Sequence, residues 1–418
     1  MPAMLPTLAV QLAHPLTERG ELPVSPLFLA ALALCLFIGA AQLGQRVARP
    51  ADPAPAERGE TQRDVPRGGR AVAFWAVRAL GLALVVLAAT AGRFGNPNQV
   101  RNIAPALTVG AGWPLLIVAT AAFGRVWWWL NPHDTLARPL APLGAGHGSD
   151  VDDDGRWAPV WWAAATGAGW MLYLTVWPGA LDPRTIAGAL LLYTVATLAA
   201  CLTLGRRTWL WRGEVFTVFF GLLAAVRRRG VRWRPPAGAP AVLGVLSGGA
   251  LFGLFHDSAM GTVVAYAHPL YRGLAAVAFL VLGAVVAERA ARRTAYGAAA
   301  MALAPVAASL LLALSVARNR LTTSLQLLPI TASNPFGGEL DLFGTRFDPI
   351  YTQPLGPTGP VWVQAGILMG GHAVGIVLFL WAMRRSDGAA GVPRRSRGVI
   401  TSLLGTSLCI AVATAAAF

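Results

Sequence analysis

Six histidines and 19 acidic residues hold nearly all the acid–base and metal-ligating capacity of this chain. His372 lies in the middle of an apolar run, GILMGGHAVG. An ionisable group at bilayer depth is costly and faces a protein interior or a water-filled cavity. Glycines 366, 370, 371 and 375 form two overlapping small-xxx-small patterns, which allow another helix to approach closely. Two readings of His372 stay open: a neutral imidazole hydrogen-bonded to its neighbour, or a ligand or proton-handling group. A second set lies in FHDSAMGTVVAYAHPLY, with His256, Asp257, Ser258 and His268. A third lies in GRFGNPNQVRNIAP, with Asn96, Asn98, Arg101 and Asn102, and in TASNPFGGELDLFGTRFDP, with Asn334, Glu339, Asp341 and Asp348. Histidine and carboxylate suit zinc or a similar divalent ion. Their spacing matches no metal motif, and hydrogen-bonded loop packing is the plainer reading. Asp150, Asp152, Asp154 and Gly155 open like a calcium loop, but its twelfth position is Trp161 instead of a bidentate glutamate. That stretch reads as a solvated loop tip. The P-loop, HExxH, G-x-S-x-G and dinucleotide motifs are absent, which removes ATP-driven transport within this chain and the common hydrolase folds.

The elements that must position these residues follow from composition. Of 418 residues, 55% are apolar and 13% charged, where a soluble chain carries about a quarter charged residues. The apolar residues arrive in long runs, so the expected class is all-α, a polytopic integral membrane helix bundle. We read about ten transmembrane helices, near 26–44, 71–92, 104–123, 157–178, 185–204, 240–256, 270–287, 296–317, 361–383 and 399–417. The whole chain reads as one membrane domain. Segments 51–70 and 138–156 read as cytoplasmic linkers, and 318–360 as a long outer loop. The three cysteines are scattered through apolar runs, against redox or thiolate-metal chemistry.

The net charge of +15 comes from 34 basic residues, all arginine. They cluster in the loops after spans one, five, seven and nine, all on one side of a ten-span bundle. The positive-inside rule makes that side cytoplasmic, places both termini outside and removes the nucleic-acid reading. The absence of lysine beside so much alanine, glycine and arginine points to a GC-rich bacterial coding bias, so the expected membrane is the bacterial cytoplasmic one. Before the first span only Arg19 is basic, so no cleavable signal is expected. Tryptophans 75, 127–129, 157, 161, 162, 209, 211, 233 and 381 fall near the same interface, as an aromatic belt. Residues 208–226 are apolar enough to cross, but a crossing there would invert every later loop. They read as a re-entrant or in-plane helix containing Glu214. Arg78 lies near enough to the cytoplasmic end of span two to snorkel.

Several blocks resemble a known bacterial family. AHPLTERGELPVSPLFLAALAL (13–34), GRFGNPNQVRNIAPALTVGAGWPLL with FGRVWWWLNPHDTLA (92–137), SNPFGGELDLFGT (333–345) and VWVQAGILMGGHAVG (361–375) are similar to blocks of the multi-pass membrane proteins known as fenitrothion hydrolases. The resemblance runs from residue 13 to about 410. It implies hydrolysis of organophosphate esters, and Asp257, Asp341 and His372 match the family pattern. His133 stands where the family usually has tryptophan, and Ala317-Arg318-Asn319 replaces an Ala-His-Tyr, which puts metal-dependent hydrolysis in question.

Three functions fit these readings. The first, implied by the resemblance, is a membrane-embedded hydrolase. Asp257, with His256, would activate water, and Arg101 or one divalent metal ion would stabilise phosphoryl charge. Asn96, Arg101, Asn102, Asn334 and Asp341 would line its substrate site, with His256, Asp257 and His268 as metal candidates. The second is a small-solute permease or channel-like carrier with His372 at the midplane site and Asp257 at its outer mouth. The third is a non-catalytic subunit or assembly partner of a membrane complex.

Overall fold

The computed structural model describes residues 68–143, 159–228, 235–257, 269–294, 296–317, 320–351, 355–356, 359–386, 404–405 and 407–408. All regular structure among them is helical. Seven helices are long and apolar enough to cross a membrane: α1 (Gly69–Phe94), α2 (Ile103–Phe123), α6 (Pro183–Leu204), α9 (Ala239–Asp257), α10 (Pro269–Arg292), α11 (Tyr296–Val316) and α13 (Gly359–Ser386). Between them lie the short helices α3 (Val126–Leu130) and α4 (Pro132–Leu140), and the 16-residue apolar α5 (Trp161–Val176). Helices α7 (Arg206–Arg212) and α8 (Val215–Arg228) form a pair bent by 66°, which makes eight spans if counted as one. Ten spans are thus not displayed. The expected span 26–44 and nearly all of 399–417 lie outside the described residues, as do residues 51–67 of the first linker and 144–156 of the second. Within 318–360, residues Arg320–Ser333 form helix α12.

Burial sorts the spans. The most apolar window of α11 is 83% buried and that of α9 78%, against 17–22% for α1, α6 and α10. Helix α11 is mostly alanine and leucine, and small side chains let neighbours close around it on all sides. The peripheral helices expose Leu80, Leu192, Val195 and Leu282, the pattern of a lipid-facing surface.

Two glycine seams hold the interior together. A Cβ on Gly244 would lie 2.3 Å from the Gly283 carbonyl oxygen, and one on Gly248 2.2 Å from that of Phe279, so α9 and α10 meet backbone to backbone. On α13, Gly371 faces Ser309 and Gly375 faces the Ala302 carbonyl of α11. Of the two patterns read in that span, this pair makes the contact. Gly366 and Gly370 have open space around them.

Span α2 is broken. Residues Ala106–Gly110 form a π turn, and helical bonding resumes at Gly112. Pro114 has no N–H to return to the turn before it. Ser324 of α12 packs against Gly110 at this point.

The helix ends establish where the bent pair lies. Val160 N donates to Ala237 O at 2.8 Å and Gly238 N to the Tyr296 hydroxyl at 2.8 Å, so α5, α9 and α11 all begin at one end. Helix α6 returns to that end from the short turn after α5. Gly92, late in α1, packs on Pro183 at the opposite end. The chain therefore enters α7 and leaves α8 on the arginine-rich side. Trp75, Trp161 and Trp162 are exposed there, whereas Trp127 turns inward against Phe216 and Phe220.

Candidate functional site

At the end opposite the arginine clusters, the structure brings together the residues nominated from the third set. Asn96 N donates to Phe336 O at 2.8 Å and Ile103 N to Pro335 O at 3.3 Å, joining the 95–102 and 333–345 loops. Asn102 is buried and caps α2. Its Nδ2 donates to Ala91 O (2.7 Å) and Asn96 O (2.8 Å), and its Oδ1 accepts from Ala104 N. Asn96 Oδ1 accepts from Asn98 N, and Asn334 Nδ2 donates to Gly338 O at 2.6 Å. Asp341 accepts from Ser333 Oγ at 2.5 Å and from Arg346 N at 3.3 Å. The Ser333 hydrogen bond, with the backbone donors behind it, holds that carboxyl below the ordinary aspartate range. Gly337 has φ 71°, and a side chain there would strike the Arg101 carbonyl. Arg101 itself is exposed. The polar atoms of this corner largely brace the loops that carry them.

His256 and Asp257 finish α9, with the His256 ring stacked on Phe252 at 5.9 Å. His268 lies outside the described residues. His372 is fully buried; its Nδ1 lies 2.8 Å from Leu368 O and its Nε2 3.2 Å from Ser407 Oγ. A carbonyl only accepts, so Nδ1 carries the hydrogen and Nε2 accepts from the serine hydroxyl. Both ring nitrogens are satisfied. Among the described residues, no three histidine, cysteine, aspartate or glutamate side chains converge as metal ligands.

The charged centre of the molecule lies at the other end. Asp134 is the third residue of α4, which Asn131 caps and Pro132 opens. Its carboxylate is 2.6 Å from Arg78 Nη2 of α1 and 3.0 Å from Arg138 Nη2, and its other oxygen contacts Arg206 of α7. Arg78 does not snorkel. It is 0% exposed, donates to Trp128 O at 2.9 Å and Thr135 Oγ1 at 3.3 Å, and lies over the Phe74 ring. Burial alone would push the Asp134 carboxyl up, but Arg78, Arg206 and Arg138 together outweigh it and hold the group below its ordinary value.

A second buried carboxylate adjoins this centre. Glu214 occupies the bend between α7 and α8. It accepts from Phe216 N (3.1 Å), Thr217 N (2.7 Å), the Thr217 hydroxyl and the Tyr193 hydroxyl (2.5 Å). The backbone donors make it the N-cap of α8, where the helix dipole favours negative charge. Thr217 Oγ1 in turn accepts from Asn131 Nδ2 (2.9 Å) and Trp127 Nε1 (3.1 Å). One threonine thus ties the caps of α4 and α8 together. His133, 4% exposed, lies edge-on to Tyr193 with centroids 5.2 Å apart. Burial pushes its imidazole below the usual 6.5, with Glu214 acting the other way.

Sequence reasoning missed this centre, although it noted Glu214, His133 and Arg78 separately. A signal was present: Asn131-Pro132 announces a helix start, and Asp134 follows in its first turn among arginine-rich segments. Fold and site together define a polytopic membrane protein whose charged centre is built at interrupted helices. No family model, curated protein or solved structure matches the chain.

Proposed function

We propose that the protein is a secondary carrier for a small anionic solute, in the bacterial cytoplasmic membrane, with its arginine-rich end toward the cytoplasm. The observation that supports this reading is Asp134 held by three guanidinium groups beside the bent α7–α8 pair. Carriers place solute sites where membrane helices are discontinuous, and irregular backbone at membrane depth is tolerated where protein or a cavity surrounds it. Charged side chains within a bundle are functional sites by default. Here a carboxylate or phosphate on the solute competes with Asp134 for Arg138 and Arg206, which are partly exposed. Arg78, fully buried, stays with Asp134. Asp134 is then the internal stand-in for the solute, and displacing it loosens α7 from α4. This moves the site of the permease reading from His372, whose ring is satisfied, to Asp134. The hydrolase reading rests on the block resemblance, with Asp257 as its base.

The test is uptake of radiolabelled acetate, succinate and inorganic phosphate by liposomes containing the purified protein. Saturable uptake of one probe, absent from protein-free liposomes and lost in Arg206→Gln, is expected. Uptake of none of the three overturns the reading. Turnover of a phosphotriester by the same preparation, abolished in Asp257→Asn, would return the function to hydrolysis.

A further inference from the structure

His133 is the second residue of α4, and Tyr193 and Thr194 of α6 lie against its ring. Its Nε2 lies 3.3 Å from Thr194 Oγ1, and its Nδ1 is buried with no hydrogen-bond partner among the described residues. A buried ring nitrogen left unpaired is costly, and such groups call for an explanation. Beyond the ring, Tyr193 donates to Glu214, and Glu214 accepts from Thr217, so a line of polar groups runs from His133 to the bend. The charged and titratable groups around it are Arg78 of α1, Asp134 and Arg138 of its own helix, Tyr193 and Cys201 of α6, Arg206 of α7 and Glu214 at the bend between α7 and α8.

We propose that His133 is a proton-binding site linked to opening of the α7–α8 pair. The inference rests on the carrier reading for one premise, that the bundle has an open and a closed state, and the Cys201 profile below tests that premise directly. When the pair is closed, no water reaches Nδ1, and the charged imidazole is disfavoured by desolvation. When the pair swings away from α4 and α6, water enters and the Nδ1 lone pair takes a proton from solvent, giving an imidazolium beside Glu214. On closing, that proton returns to the solution. No bond other than N–H forms or breaks. A ligand that binds one of two states better shifts the population toward it, so acid favours the open form. Glu214, at the bend itself, faces the new charge and stabilises it. Anion entry at Arg138 and Arg206 and proton entry at His133 then share one moving element, so acid and anion favour the same open state.

The experiment uses the full chain in detergent, without solute, and reads the opening from native Cys201. That thiol is buried on α6, facing the same centre. With Cys35→Ser and Cys409→Ser in place, its reaction with 4,4′-dithiodipyridine is followed and normalised at each pH to that of free cysteine. One proton changes the open population by at most about tenfold per pH unit, and we expect a rise of at least about fivefold from pH 7.5 to pH 5. In His133→Gln the rate should stay flat, and in His372→Asn it should rise as in the parent. Tyr193→Phe, which cuts the line to Glu214 but keeps the ring, should shift the midpoint to lower pH. A flat profile in the parent, or an equal rise in a monodisperse His133→Gln protein, overturns the proposal. If uptake fails while the Cys201 profile behaves as stated, the carrier reading falls and the proton site stands. If uptake succeeds and the profile is flat, the proton site falls alone.

Discussion

Replacing Asp134 by asparagine keeps its size and removes its charge, leaving three guanidinium groups around an uncharged amide. Arg78 cannot escape, since it is 0% exposed and its Nη2 lies 2.6 Å from the carboxylate. At an effective dielectric of 20, a unit charge pair about 4 Å apart gains about 4 kcal/mol. Removing one partner of a buried pair costs about 3–5 kcal/mol, chiefly because the other charge stays buried and uncompensated. Arg138 and Arg206, with side chains 15% and 14% exposed, can turn toward the interface and add little. Asp134→Asn is therefore expected to lose about 3–5 kcal/mol. The double variant Arg78→Met/Asp134→Leu, which removes both charges of the buried pair, should recover more than half of that loss. Denaturation of the detergent-purified protein, followed by intrinsic tryptophan fluorescence, measures both. If Asp134→Asn lies within about 1 kcal/mol of the parent, or the double variant is no better than the single, the pairing of Arg78 with Asp134 does not govern this end of the bundle.

The glycine seams predict a contrast on α13. Gly375→Ala, whose Cβ would meet the Ala302 carbonyl at 2.7 Å, should lower the melting temperature, whereas Gly366→Ala, with open space, should leave it unchanged or raise it. Stability should also fall in mild acid. His133 is held neutral below its usual 6.5, so the unfolded chain binds more protons as pH drops through that value. The native state then loses at most about 1.4 kcal/mol per pH unit from this group, a slope that melting scans should find reduced in His133→Gln. Asp134, held low, adds a loss only under stronger acid, below the usual 3.8. For the orientation, single cysteines at Glu60→Cys and at the exposed Asp348→Cys should react from opposite sides of a sealed vesicle with an impermeant reagent, Asp348→Cys from outside. Equal access at both positions would remove the cytoplasmic assignment of the arginine-rich end.

The helical class, most of the spans within the described residues and the return of 208–226 to the arginine-rich side were legible because they depend on local run length and charge counts. The clustering of Asn96, Asn102 and Asn334 was legible too, since polar loops at one end of a bundle must meet. What those asparagines do there was not. Asn and Asp in a turn serve backbone donors as readily as ligands, and only geometry showed that Asn102 caps α2. Arg78 was misread because its depth in one helix was weighed without its partner. Snorkelling and burial against Asp134 look the same in a single span, and the pairing is long-range. Likewise, the Trp127–Asn131 spacing is one helical turn, but that both side chains serve Thr217 on a distant helix is a tertiary fact.

The ion pair at Arg78 also bears on how the protein is made. Thr135, which binds Arg78 next to Asp134, emerges 57 positions later in the chain. At about 5–20 residues per second, the ribosome needs roughly 3–11 s to supply those partners. For that time α1 resides in the translocon or bilayer with an unmatched guanidinium, where a mid-helix arginine costs about 2.5–3.5 kcal/mol. Arg78 is about 14 Å along the helix from Gly69, close enough to the arginine-rich end for its stem to reach headgroups. The snorkelling geometry expected from sequence is then the nascent state. Arrival of α4 supplies Asp134 and Thr135, so the buried geometry of Arg78 forms only after α2 and α3 have been synthesised.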